Sequence, residues 1–204
     1  MQHRYAPPGI ETSHLEELGD SLQERLADLI DLSLILKHVH WNVVGDGFIA
    51  VHELMDMQTA AVRDMVDDMA ERLSTIGGIA AGLAGQVSKN RTTGEDYALD
   101  RGHVRAHLGA LDVVYSRIVS GHRDAIEAVA KIDPISEDLL ISQTRTLEKH
   151  HWFIRAHLED IEGRLSTDDA SSEEDAAAAA VTAPQPGEET IEEEEGVKRA
   201  RRSE

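Results

Sequence analysis

Leucine and isoleucine recur at helical spacing early in the chain, at Leu15, Leu18, Leu22, Leu26, Leu29 and Ile30. Steps of three and four keep them on one face of an α-helix. Ser13 followed three residues later by Glu16 is a capping-box pattern, so a first helix is predicted over about 13–43. Gly45-Asp46-Gly47 interrupts it and predicts an antiparallel return. A second helix is predicted over about 49–76, stopping at Gly77-Gly78. A long connection over about 79–94 then combines polar and glycine breakers with Ile79, Leu83 and Val87, enough for a short helix of its own. A third helix is predicted over about 95–131. Val104, Leu108, Leu111, Tyr115 and Ile118 keep its period, although Gly102, Gly109 and Gly121 weaken it. Asp133-Pro134 ends it. A fourth begins near Ser136, with Glu137 and Asp138 at its positive end, and runs to about Gly163.

Three short loops would give a simple up-down bundle. Two short connections and one long one in the middle predict instead an all-α, ferritin-like four-helix bundle with a crossover between its second and third helices. The expected organisation is an N-terminal arm over 1–12, the bundle over 13–164, and a disordered tail over 165–204. The tail holds 12 acids and 4 Lys/Arg, and ends with an acid block, Glu192 to Glu195, followed by Lys198-Arg199-Ala200-Arg201-Arg202.

Composition agrees with helices: aromatics are only 3% of the 204 residues. The absence of cysteine removes disulfides and thiolate metal sites, and is compatible with a reducing cytoplasm. Residues 1–14 contain no apolar run of the kind a secretory signal needs, so a cytoplasmic location is expected. No stretch approaches the ~18 apolar residues of a membrane span. The net charge of −19 repels nucleic acid at long range and attracts cations. Any contact with DNA must come from a local basic element.

The candidate chemistry sits on the second helix. His52 and Asp56 form one i, i+4 pair and Asp67 and Glu71 another. At about 100° per residue all four fall within an arc of roughly 100°. At about 1.5 Å per residue the pairs are some 20 Å apart along the axis, so one chain cannot bring both to one metal ion. Two copies crossing antiparallel about a two-fold axis can, with Ala60-Ala61 at the crossing point. His40 lies just upstream in His40-Trp41-Asn42. Histidine and carboxylate without cysteine suit iron, manganese or zinc. The alternative for any one pair is an ordinary helical ion pair or a solvated face. However, the like-charged Asp67 and Glu71 are unfavourable together without a cation.

His40-Trp41-Asn42-Val43-Val44-Gly45, Phe48 to Asp56, and Asp67-Asp68-Met69-Ala70-Glu71-Arg72 resemble the signature of the Dps family, the DNA-protecting mini-ferritins of starved bacteria. Leu147 to Ile154 is similar to that family's last helix, and the likeness covers about residues 15–162. The resemblance implies a hollow dodecamer with ferroxidase sites at two-fold interfaces. Each site would oxidise two Fe(II) ions, with hydrogen peroxide as preferred oxidant and zinc or manganese as substitute metals. The Fe(III) mineral would be stored inside, and DNA would be protected from oxidative damage. It implies His40, His52 and Asp56 as ligands from one subunit and Asp67 and Glu71 from the other, with Trp41 as a redox-active aromatic or an interface residue.

A site inside one bundle would need Glu-x-x-His motifs on facing helices. Glu148-Lys149-His150-His151 supplies one, and the second helix supplies none. His103 and His107 read as a surface pair, His38 as pointing away from His40, and Trp152 as core or interface. Glu137 and Asp138 are candidates for an iron-entry pore, against simple stabilisation of a helix start. Lys198, Arg199, Arg201 and Arg202 are candidates for DNA contact through many weak phosphate interactions. The alternative function is therefore a DNA-compacting, nucleoid-associated protein with little iron chemistry.

Overall fold

The computed structural model describes residues 5–92 and 95–184. Its bundle consists of α1 (Leu15–Asn42), α2 (Phe48–Thr75), α4 (Val104–Val129) and α5 (Pro134–Arg155). The leucines of the first stripe are buried, with Leu18, Leu22, Leu29, Leu32 and Leu36 wholly inaccessible. They meet Met55, Met69 and Leu73 of α2, Leu108 and Leu111 of α4, and Leu140, Leu147 and Ile154 of α5. Those are the positions the helical period assigns to the core.

The long connection carries α3 (Ala84–Asn90), the short helix expected there. Two two-residue strands, β1 (Val43–Val44) and β2 (Gly102–His103), pair in parallel, Val43 with Gly102 and Val44 with His103. The end of α1 is thereby pinned beside the start of α4. The chain runs up α1, down α2, back up through the crossover, down α4 and up α5. The crossover is laced to α1 by polar side chains. Gln23 exchanges hydrogen bonds with the Ala81 backbone, at 3.1 and 2.8 Å. Asp28 accepts from the Thr92 amide and hydroxyl, both at 2.8 Å. Arg91 pairs with Asp31 at 3.1 Å.

Several boundaries differ from the sequence expectation. The Ser13–Glu16 capping box does not form: a 3-10 turn, Thr12–His14, precedes α1, and no side chain caps its start. The third helix begins at Val104 rather than near residue 95, because Gly102-His103 is held extended in β2. The fourth is capped by Asp133, not Ser136. Its carboxylate accepts from the Ser136 amide at 3.1 Å, and Pro134 supplies the favoured ring in the first turn. Arg72 of α2 also binds Asp133, tying the α4–α5 turn to the second helix. Burial opposes charge on Asp133, but the bonds from Ser136 and Arg72 outweigh it and hold its carboxyl below the usual range.

The largest difference lies in the segment after Leu165. Ser172 caps a further helix, α6 (Glu173–Thr182), which packs on α4. Its alanines Ala176, Ala177 and Ala180 are buried. Gly109 makes the seat: a Cβ there would stand 2.4 Å from the Ala176 carbonyl oxygen. Asp112 clasps the lead-in, accepting from Thr167 at 2.6 Å, His151 at 2.5 Å and Arg155 at 2.7 Å. Burial pushes the Asp112 carboxyl up, but these three donors reverse the shift and hold it very low. An alanine run reads as low complexity in sequence, yet here it is the thin helix that fits over a glycine.

The core also contains polar groups. Tyr115 donates to Gln58 at 2.7 Å, and Gln58 donates to the His150 carbonyl at 3.3 Å. His107 and His122 are fully buried. Burial lowers His122 to about 4. Burial, and then the neighbouring His38, lower His107 to about 4. Both histidines therefore bind fewer protons folded than unfolded between about pH 6.5 and 4. Stability falls as pH drops through that window, by about 1.4 kcal/mol per pH unit for each group while it lasts. Thermal unfolding of His122→Gln between pH 7 and 4 is expected to fall less steeply than that of the wild type. Parallel curves would show that His122 does not couple to folding.

A candidate metal centre

Three of the five candidate ligands meet where α1 passes to α2. Gly45 and Gly47 have φ of 102° and 78°, and this left-handed turn reverses the chain within a few residues. It brings the last turn of α1, with His40, against the first turns of α2, with His52. The two imidazoles stack with centroids 3.6 Å apart and planes 20° from parallel. Each Nδ1 lies 2.9 Å from the other residue's backbone carbonyl oxygen. A carbonyl can only accept, so both Nδ1 atoms carry the proton and both Nε2 atoms keep a lone pair. That is how metal-binding histidines are commonly oriented, with the far nitrogen fixed by a carbonyl.

Asp56 stands one turn beyond His52 and is exposed. Its Oδ1 lies 3.4 Å from His40 Nδ1 and 2.6 Å from Lys37 Nζ. The hydrogen bond from Lys37, followed by the nearby charges, lowers the Asp56 carboxyl from its ordinary value. Lys37 Nζ also lies 5.6 Å from the centre of the Trp41 ring. Lys37 was not among the residues singled out from sequence. Its place one turn before Trp41 and His40 on α1 was the available signal.

Asp67 and Glu71 are also exposed on α2, away from this cluster. The structure thus gathers His40, His52 and Asp56, and leaves Asp67 and Glu71 as a separate pair on the same helix. Among the described residues no group of three or more His, Asp or Glu is arranged to hold a metal ion. Trp41 adjoins His40, Ile49 stands three residues before His52 and Met57 adjoins Asp56, and all three are exposed, Trp41 by 71%, alongside the exposed Glu53.

The other candidates fall elsewhere. Glu137 is half-buried and Asp138 exposed in the first turns of α5. The Glu-x-x-His motif splits, with Glu148 pairing with Arg123 and His151 with Asp112. His103 and His107 are not a surface pair. His103 is exposed and caps α4, whereas His107 is buried and meets Tyr97 at 3.0 Å. His103 lies in β2, just before α4 begins, whereas His107 is on α4 and the crossover folds over it through Tyr97. His38 turns away from His40 to donate to the Leu99 carbonyl at 2.8 Å. Trp152 is 60% exposed on α5. Lys198, Arg199, Arg201 and Arg202 lie outside the described residues.

A ferritin-like domain model matches residues 19–163. A DNA protection during starvation protein of Mycolicibacterium smegmatis is 45% identical over 159 residues, covering 78% of this chain and 86% of that protein. The fine tangled pili major subunit of Haemophilus ducreyi is 48% identical, covering 76% of this chain and 81% of its own length. Among solved structures, DpsA14 from Streptomyces coelicolor superposes with a TM-score of 0.78 at 53% identity, covering 80% of this chain and 96% of that one. The four-helix bundle, its long crossover and these relatives agree: the chain belongs to the Dps family of ferritin-like proteins.

Proposed function

We propose that this protein is a ferroxidase and iron store, oxidising Fe(II) at sites shared between two subunits of a hollow dodecamer. His40, His52 and Asp56 come from one subunit, and Asp67 and Glu71 from its partner. The observation that carries this reading is the reciprocal bonding of His40 and His52, which leaves the Nε2 lone pair of each imidazole free to bind a metal, with Asp56 one turn further along α2. Three ligands from one chain would make half of a coordination sphere, and Asp67 and Glu71 stand too far along the same helix to finish it. The exposed apolar side chains around the cluster support a second copy packing there.

Carboxylate ligands stabilise Fe(III) over Fe(II) and so favour loss of the electron. With two ferrous ions at one site, each gives one electron to hydrogen peroxide. Two protons complete two waters, and no hydroxyl radical is released. The Fe(III) product collects as mineral in the cavity, admitted as Fe(II) past acids such as Glu137 and Asp138. Trp41 lies beside the site as a packing or redox residue. This chemistry protects DNA in the cytoplasm without contact. Direct contact is a second reading, favoured by the basic run at Lys198, Arg199, Arg201 and Arg202 and opposed by Glu192 to Glu195 just before it.

Four outcomes are expected. Asp67→Ala/Glu71→Ala protein oxidises Fe(II) with peroxide at least about tenfold more slowly than wild type in stopped flow. Mixing it with His52→Ala/Asp56→Ala chains restores part of the rate, because one of the two sites at each mixed interface is whole. A double variant as fast as wild type would remove these ligands from the account. Lys37 holds Asp56 and must release it when a cation binds, so Lys37→Met is expected to bind Zn(II) roughly two- to fivefold more tightly by calorimetry. Unchanged or weaker binding contradicts that competition. Removal of residues 196–204 is expected to weaken DNA retardation at low salt, and an unaltered mobility shift excludes the tail.

A further inference from the structure

The bundle has three tyrosines, and their hydroxyl partners differ in kind. Tyr5 donates to the Ser74 carbonyl at 2.9 Å and Tyr115 to the Gln58 amide oxygen at 2.7 Å. Neither acceptor is a base. Tyr97 meets one: its hydroxyl lies 3.0 Å from His107 Nδ1. A phenol must donate to use its proton, so Nδ1 accepts and Nε2 carries the tautomeric hydrogen. His107 is wholly buried, and the Asn42 backbone also interacts with its ring. The opposite side of Tyr97 is covered edge-on by His38, centroids 5.8 Å apart. His38 precedes His40 by two residues on α1, about 3 Å of axial rise. Glu173 of α6 accepts from the Ala98 amide at 2.9 Å and forms an ion pair with Arg117.

A phenol hydrogen-bonded to a buried base is poised to lose an electron and a proton together. Oxidised tyrosine is a strong acid, so it yields its proton even to an imidazole of reduced basicity. Trp41 is less suited, because the Lys37 ammonium lies 5.6 Å from its ring and opposes positive charge there.

We propose that Tyr97 is a redox-active phenol, with His107 as its proton acceptor, that supplies the second electron when peroxide reacts at a site holding a single ferrous ion. This rests on the iron-oxidising reading above. Peroxide takes one electron from Fe(II) and one from Tyr97. The phenolic proton passes to His107 and is matched at the reacting oxygens by protons from solvent. Two protons in all convert peroxide into two waters. Fe(III), a neutral phenoxyl and a protonated His107 remain; a further Fe(II) ion then reduces the phenoxyl, which takes its proton back from His107. A half-filled site then consumes peroxide without releasing hydroxyl radical.

The test is electron paramagnetic resonance of the full-length cage, loaded anaerobically with one Fe(II) per site, mixed with peroxide and frozen. Iron oxidation is followed optically in the same samples. A tyrosyl signal is expected in wild type and its loss to background in Tyr97→Phe, while the first iron oxidation still proceeds. Iron oxidation with an undiminished tyrosyl signal in Tyr97→Phe, or with none in wild type, overturns the proposal and leaves the ferroxidase reading standing. If peroxide oxidises no iron, the ferroxidase reading itself fails, and with it this role for Tyr97. A second arm isolates the pair from the iron chemistry. Flash-generated ruthenium(III) oxidises the metal-free cage, and the tyrosyl yield is expected to fall in Tyr97→Phe and to form more slowly in deuterium oxide. A yield indifferent to Tyr97→Phe overturns the assignment on its own.

Discussion

The pair of hydrogen bonds exchanged by His40 and His52 is the constraint on which the site depends. Each ring caps the other's backbone, so the register of α1 against α2 and the tautomers of both histidines are set together. A shift of one residue in either helix would rotate a ring by about 100° and lose both bonds. The turn at Gly45-Asp46-Gly47 makes the pairing possible, because positive φ values reverse the chain in the few residues available. The tautomers of both imidazoles are thus fixed by the fold itself, with two N–H groups committed to backbone carbonyls.

The four bundle helices were legible because their periodicity is driven by burial, and burial dominates their formation. Leu15, Leu18, Leu22, Leu26 and Leu29 could be placed in the core from spacing alone. The crossover was legible from the breakers over 79–94; of its three apolar residues only Val87 falls within α3 and is buried. Misses occurred where tertiary contacts override local pattern. Ser13 and Glu16 have the residues of a capping box, but a 3-10 turn precedes α1 instead. Gly102-His103 continues a helical period in sequence, but pairing with Val43-Val44 extends it. The helix at Glu173–Thr182 was missed for the same reason: its apolar face is alanine, which carries little signal until the bare backbone of Gly109 is opposite.

Of the candidate site, the residue types and the separation into two groups were readable from helix geometry. What sequence could not supply was chemistry defined by neighbours. Lys37 becomes the partner of Asp56 only because α1 and α2 cross at that point. His107 becomes a buried base only because the crossover lays Tyr97 against it. Both depend on contacts across the fold, and neither leaves a periodic trace.

The parallel pairing of β1 with β2 joins residues 59 apart in the chain, whereas the contacts within α1–α2 and within α4–α5 are local hairpins. Closing so long a loop costs entropy that either hairpin alone avoids. The two hairpins are therefore natural early units of assembly, with the crossover stitched down last. Every candidate iron ligand, from His40 to Glu71, belongs to the first of them. The second hairpin and the appended α6 can consequently vary without displacing any of the candidate ligands, which ride together on their own module.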